Sequence, residues 1–346
     1  MHRTWTGLWA GLALTLAAIA SAGAQQPAAE FYKDKTISIL IGFGPGGGND
    51  TWSRLLARHM GRHIPGTPLI VPQNLPGGGG LLVANQLYNV SPKDGTVIGA
   101  ISRGIPLEPL FGGQGTRFDA QKLTWIGSPD RDTAICVART DTGIASIKDL
   151  YQRELIMGAT GSGTDSAIYP DFMAVLFGLK LKTVKGYKGS NEMQLAIERN
   201  EVQGMCGSHD SIMASKLGRD GKLTILFQGR LSPDPRLKGV AYFADIARTD
   251  EERQVFELFL TRSALGRPLV APPGLPPERT ATLRRAFNAT MTDKAFLEEA
   301  AKQSLSAEPM TGEELLATIE RAHSKPPEII KRTTEVLGRL AGEKAK

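Results

Sequence analysis

Cysteine is scarce, with two in 346 residues. Neither Cys136 nor Cys206 has a second Cys or a His at metal-finger spacing, which argues against a structural metal site. Beyond the first two dozen residues no apolar run reaches the ~18 residues that a membrane helix requires. Acidic residues are missing altogether from 51–93. Aromatic residues make up 6% of the chain and are not interleaved with basic ones in a stripe, so the formal charge of +6 is not the footprint of a nucleic-acid binder. Scattered in this way, the excess mildly favours anionic ligands.

What is there begins with an export signal. Arg3 gives a positive start, residues 8–20 are almost all apolar, and Ala22, Gly23 and Ala24 supply a small-x-small cleavage pattern. Gln25, Gln26 and Pro27 follow without a stop-transfer pattern. The alternative is a retained membrane anchor. With residues 1–24 as signal peptide, the expected mature chain starts near Gln25 and has about 320 residues, which suits two lobes better than one core. In an exported chain two thiols can pair, so Cys136 with Cys206 is the tentative expectation, against two buried free thiols.

From Thr36 the pattern alternates between strands and helices. Residues 36–41 are apolar and β-branched, a buried strand. Asn49 or Asp50 can cap a helix with Trp52, Leu55, Leu56 and Met60 at i, i+3, i+4 and i+8. Residues 69–71 and 97–101 read as neighbouring strands, which implies a parallel sheet with crossover helices. A second unit follows, with strands at 135–138 and 155–158 and a helix capped by Thr164 or Asp165. Strands at 183–184, 224–227 and 268–271 continue it. Thr311 and Glu314 form a capping box for a late helix. The expected division is 25–130 for the first part of lobe 1, 131–227 for lobe 2, and 228–346 for crossover segments and C-terminal helices returning to lobe 1. In open parallel sheets ligands bind outside the carboxyl ends of the strands, so two such ends facing each other make a cleft.

Each unit has a glycine-rich strand-to-helix turn. The first, at 42–50, contains GxGxxG at Gly42, Gly44 and Gly47. A dinucleotide site also needs an acid about 20 residues on for the ribose, and none stands between 51 and 93. No Gly-Lys-Ser/Thr follows for a phosphate loop either, so no cofactor is expected. The turn keeps its physical content: glycines let backbone N–H groups approach a ligand, and a helix N-terminus attracts anions. Arg54, Arg58 and Arg62 add positive potential along the same stretch, mostly as solvated side chains. A carboxylate matches. The second turn, at 158–166, adds the hydroxyls of Thr160, Ser162 and Thr164 around Gly163, suited to the other end of a diacid. It is not a nucleophile elbow, because Thr160 stands where GxSxG around Ser162 needs glycine. His59 and His63 at i, i+4 lack the metalloprotease Glu and read as a surface pair. His209, near Cys206 and Asp210, has no recognisable catalytic spacing.

This ordered set resembles the substrate-binding proteins of tripartite tricarboxylate transporters, also called Bug receptors. The matching pieces are the turn from Phe43 to Asp50, Asn74 with Gly77 to Gly80, and the Ser91 to Gly95 segment before a strand. Gly161 to Thr164, Gly186 to Gly189 and the Pro-rich stretch 271–277 complete it. The resemblance spans residues 31–320. It implies an α/β, two-lobed periplasmic binding protein of type II, a Venus flytrap with a cleft between the lobes. It further implies a small organic acid ligand, membrane permease subunits as partners, a monomer, and a periplasmic location. The implied ligand contacts are Phe43, Gly46, Gly47, Gly48, Asn49 and Asp50 from the first turn, with Ser102. From the other lobe come Thr160, Ser162, Gly163, Thr164, Tyr187, Lys188 and Gly189. Two departures stand out. The first turn ends Gly48, Asn49, Asp50 where the family usually has Gly-Thr-Asp, and residues 201–207 lack the family's usual Asp. Citrate-like, aromatic and amino-dicarboxylate ligands therefore all remain open.

Two other classes compete: an exported α/β enzyme acting on a similar acid, and a ligand-sensing adaptor. The cleft-forming turns carry no nucleophile–base pair or metal set, which disfavours the enzyme.

Overall fold

The computed structural model describes residues 27–342 except 132, 163, 232 and 243–248. The expected signal peptide, its cleavage point and Gly163 lie outside the described residues. The chain opens with α1 (Ala28–Tyr32), β1 (Thr36–Ile41), α2 (Gly48–Met60), β2 (Leu69–Asn74), α3 (Leu81–Asn89), β3 (Val97–Ala100) and β4 (Thr124–Ser128). It crosses into β5 (Ala134–Arg139), β6 (Leu155–Ala159), α4 (Asp165–Phe177), β7 (Leu181–Lys185), α5 (Ser190–Glu198) and β8 (Gly204–Ser208). Next come α6 (His209–Met213), α7 (Lys216–Arg219), β9 (Leu223–Gly229), β10 (Ala241–Tyr242) and α8 (Asp250–Ala264). It returns through β11 (Leu269–Ala271), α9 (Pro277–Met291), α10 (Lys294–Lys302), β12 (Met310–Thr311), α11 (Gly312–His323) and α12 (Pro327–Gly342).

The strands form two six-stranded sheets, in orders β12-β4-β11-β3-β1-β2 and β10-β9-β5-β8-β6-β7. Each is the centre of one lobe, flanked by helices, and the fold is the two-lobed α/β class the resemblance implies. The sheets are mixed rather than wholly parallel. β1 pairs in parallel with β2 and β3, but β11 inserts antiparallel between β3 and β4. The reason is connectivity: β11 comes back from the other lobe, so its direction is set by that return and not by a local βαβ crossover.

Hydrophobic periodicity seats the helices. On α2, Trp52, Leu55, Leu56 and Met60 are all buried against β1 and the C-terminal helices. Each such side chain stabilises by roughly 1.5–3 kcal/mol on burial. Thr311 and Glu314 do form a reciprocal capping box on α11. The last helix departs from the expected return to lobe 1, because Ile329 and Val336 of α12 join the lobe 2 core beside Phe172 and Phe256.

Arg58, on α2, and Arg62, just past its end, are exposed as expected, but both are ion-paired. Arg58 and His59 both reach Glu299 at 2.5 Å, and Arg62 and His63 reach Asp293 at 2.7 and 2.9 Å. The acids that neutralise this stretch come from the start and body of α10, far along the chain. His59 is buried in this network rather than lying on the surface.

Three segments cross between the lobes, β4 to β5, α8 to β11 and α11 to α12, and the first two touch. Ser128 Oγ accepts from the Arg267 N–H at 2.8 Å and donates to the Asp130 carbonyl at 2.8 Å. Gly266 sits between them at φ +61°, where a Cβ would strike the Asp130 carbonyl oxygen. Only glycine tolerates both that backbone and that approach.

Candidate ligand site between the lobes

The first turn is built around Asp50. This side chain is buried and points back into the turn: it accepts from the Gly46 N–H at 2.8 Å, Arg54 Nε at 2.9 Å and Asn74 Nδ2 at 2.7 Å. Asn74 also donates to the Phe43 carbonyl at 3.0 Å. Burial alone would raise the Asp50 pKa, but these donors outweigh it and hold the carboxyl below its ordinary value. The exposed Gly46 and the buried Asp50 thus shape the turn and do not line the cavity. With the turn fixed, Gly47 caps α2, and Gly48 in its first turn lies against Ser211 of the other lobe.

Between the lobes lies a cavity of about 80 Å³. Phe43, Gly47, Gly48, Asn49 and Ser102 line it from one side, and Thr160, Thr164 and Gly189 from the other. Cys206 lines it too, bonded by a disulfide to Cys136 across β5 and β8. Ser162 is exposed and faces a separate cavity of about 510 Å³. Tyr187 is half-buried and packs on the lobe 2 core. Lys188 is exposed, and its carbonyl accepts from the Gly44 N–H at 2.9 Å.

The charged residues of the cavity escaped the sequence reading. Arg103, Asp165 and Arg267 all line it and all are buried. Asp165 meets Arg103 at 3.1 Å and Arg262 at 3.3 Å. Arg267 pairs with Asp130, and its Nη2 donates to Ser208 Oγ at 2.5 Å and Ser211 Oγ at 3.0 Å. Burial first, and then the like charge of Arg103, push the Arg267 pKa down; the Asp130 carboxylate and the serine acceptors work against that. A signal existed: Arg267 is a lone charge inside the apolar run at 264–271. Such a residue on a buried strand entry needs a partner or a ligand. Met193, Met205 and Ile212 supply an apolar patch.

The hydroxyls of the second turn bond mainly to one another. Thr160 Oγ1 donates to Thr164 Oγ1 at 2.7 Å, and Thr164 Oγ1 donates to the Gly161 carbonyl at 2.7 Å. Ser166 Oγ accepts from the Thr160 N–H at 3.0 Å and lies 2.9 Å from Thr164 Oγ1.

Comparison with known proteins fits this arrangement. The model of the tripartite tricarboxylate transporter family receptor matches residues 53–334. A UPF0065 protein of Cupriavidus necator is 24% identical over 308 residues, covering 85% of this chain and 86% of its own. The periplasmic binding protein BugD is similar in structure with a TM-score of 0.70 at 19% identity, over 90% of this chain and 99% of BugD. MatC of Rhodopseudomonas palustris, solved with bound malate, gives 0.66 at 17% identity, over 88% of this chain and 99% of MatC. The two structures share the fold, and the family match extends over most of the sequence. The chain is a solute-binding protein of the tripartite tricarboxylate transporter receptor family.

Proposed function

We propose that this protein captures a small carboxylate between its lobes, after export to the periplasm, and delivers it to the membrane subunits of a tripartite transporter. One observation carries the reading. The start of α2, the Arg267 guanidinium and the Ser211 hydroxyl meet in one cavity that both lobes line. Backbone donors at a helix start, a cation and hydroxyls together match a carboxylate, which accepts several charge-assisted hydrogen bonds. The related MatC was solved with malate, an acid of the expected size class. Phe43, Gly47, Gly48, Asn49 and Ser102 are the proposed contacts from one lobe, and Thr160, Thr164 and Gly189 from the other.

The protein acts by binding alone in this reading. The serines nearest the anion position are held by Arg267, which donates protons and accepts none, so it activates no hydroxyl. The direct test is mass spectrometry of small molecules released by denaturing protein taken from its native periplasm, followed by a thermal-shift screen of organic acids. A ligand at 100-fold over its Kd stabilises by about 2.7 kcal/mol. Release of a carboxylate that raises the melting temperature is the expected result. A neutral sugar or a cationic ligand overturns the reading.

A further inference from the structure

The lobes meet at two places around the cavity, and the two meetings differ in kind. At one, the glycine turn of lobe 1 lies against Lys188, Ser190 and Ser211 through backbone and small polar groups. At the other the contact carries charge. A Cβ on Gly79 would strike Thr164 Cγ2, so the 78–80 loop of lobe 1 rests directly on the start of α4. Asp165, the first residue of α4, meets Arg103 at 3.1 Å and Arg262 at 3.3 Å. Arg103 belongs to lobe 1, between Ile101 and Ile105 of that lobe's core. Asp165 and Arg262 belong to lobe 2. Ile168 and Tyr169 of α4 pack with Phe259 of α8 in its core, and Arg262 lies over the Phe259 ring at 5.6 Å. One carboxylate is therefore shared by a guanidinium from each lobe.

Exposed ion pairs contribute little, because water screens them. Here the three side chains are only 4–9% exposed, so their charges act on one another through a medium of low polarity. Two guanidiniums that share one acid also lie close together. Arg267 is a third cation nearby; burial and then the like charge of Arg103 push its pKa down. The charge on Asp165 thus acts twice. It attracts Arg103 across the lobe boundary, and it offsets the repulsion between Arg103 and Arg262. Withdrawing a charge from a buried cluster is costly for the charges that remain. In this cluster the cost is relieved by parting the lobes, which carries Arg103 away from Arg262 and towards water without unfolding either lobe.

We infer that Asp165 is a positioning residue for lobe closure: it holds Arg103 of lobe 1 to Arg262 of lobe 2, and this bridge, in addition to any ligand contact, keeps the lobes together. The inference goes beyond the carboxylate reading and does not depend on which ligand the cavity takes.

The test is X-ray scattering of the full mature chain, parent and variants in one buffer, with circular dichroism to confirm that each is folded. Asp165→Asn keeps an oxygen for Arg262 and removes the charge; its radius of gyration should exceed that of the parent. Arg103→Met removes the attraction across the boundary but leaves Asp165 with Arg262, so its radius should also rise, by less. The double variant Arg103→Met/Asp165→Asn should fall back towards the parent, because one of the two repelling cations is gone. A role confined to α4, as a negative charge at its N-terminus, is not relieved by a change in the other lobe. A double variant no more compact than Asp165→Asn therefore overturns the inference, as does an Asp165→Asn that scatters like the parent. Should Asp165→Asn fail to fold, Arg103→Met decides alone, and an unchanged radius in it overturns the inference.

Discussion

The Gly44 N–H donates to the Lys188 carbonyl at 2.9 Å, so the glycine-rich turn of one lobe is hydrogen-bonded directly to the β7–α5 turn of the other. Other glycines of the same loops make the same kind of approach. A Cβ on Gly46 would come to 3.0 Å from Asn191 Nδ2, one on Gly47 to 2.8 Å from Ser190 Oγ, and one on Gly161 to 2.5 Å from the Gly78 carbonyl carbon. These glycines let two lobes close on each other as much as they let backbone reach a ligand.

Gly48→Ala tests that closure. Gly48 is in the first turn of α2, where alanine is conformationally favoured, but its Cβ would strike Ser211 Oγ. The expected variant melts near the wild-type temperature, shows a larger radius of gyration with ligand in X-ray scattering, and binds about tenfold more weakly, a loss of about 1.4 kcal/mol. Unchanged scattering together with unchanged affinity would show that the contact is not limiting for closure.

Gly47→Asp separates the anion site from stability. Gly47 is the N-cap of α2, a position where Asp is among the preferred residues, so the helix itself should not suffer. The new Cβ meets only the end of the Ser190 side chain. Its carboxylate would compete for the donors proposed for the ligand. Losing one charged hydrogen bond costs roughly 1.5–3 kcal/mol, so affinity for the acid should fall at least tenfold. Lys182→Asp, exposed on β7, adds the same charge away from the cavity and should bind as the parent does. Equal affinity in Gly47→Asp would move the anion site away from α2.

Much of this was legible in the sequence. β1 was placed to the residue by its apolar, β-branched run, and the apolar stripe of α2 by its spacing. The two turns do bring Phe43, Gly47, Gly48 and Asn49 to the same cavity as Thr160, Thr164 and Gly189. The rest was hidden for a physical reason. Arg103, Asp130 and Asp165 come from separate stretches, and with Arg262 and Arg267 from the return segment they act only as a three-dimensional cluster. β8 gives only a weak signal of its own, with two glycines in the five residues 204–208. Their place is fixed by pairing with β5 and β6, not by their own propensity.

Cys136 and Cys206 are directly opposite in the β5–β8 register and their disulfide closes a stretch of 70 residues. On the chain-entropy model such a crosslink is worth about 4 kcal/mol through the unfolded state. Thiol titration of denatured, unreduced protein should find no free thiol. Reductant, or the Cys136→Ala/Cys206→Ala pair, should lower the urea midpoint. Because Cys206 also lines the cavity, the double variant should bind its acid more weakly as well. Two titratable thiols in the unreduced protein would rule out the bond.

Asp50 is the residue whose place in the motif was plain and whose role was not. It stood among the ligand contacts, yet its carboxylate faces Gly46, Arg54 and Asn74 and braces the turn from behind. Its folded pKa lies below the ordinary carboxylate value. Its contribution to stability is therefore fully present above the unfolded value of about 3.9 and is lost as pH falls through the folded one. Asp50→Asn keeps the shape and removes the charge, so neutral-pH stability should drop by about 1–3 kcal/mol. The gap between variant and parent should narrow in urea titrations taken below about pH 4. Affinity should fall only modestly, through a looser turn, and the preference among acids of different charge should not change. If Asp50→Asn instead inverted that preference at unchanged stability, the carboxylate would have to face the ligand, and the turn would need another brace.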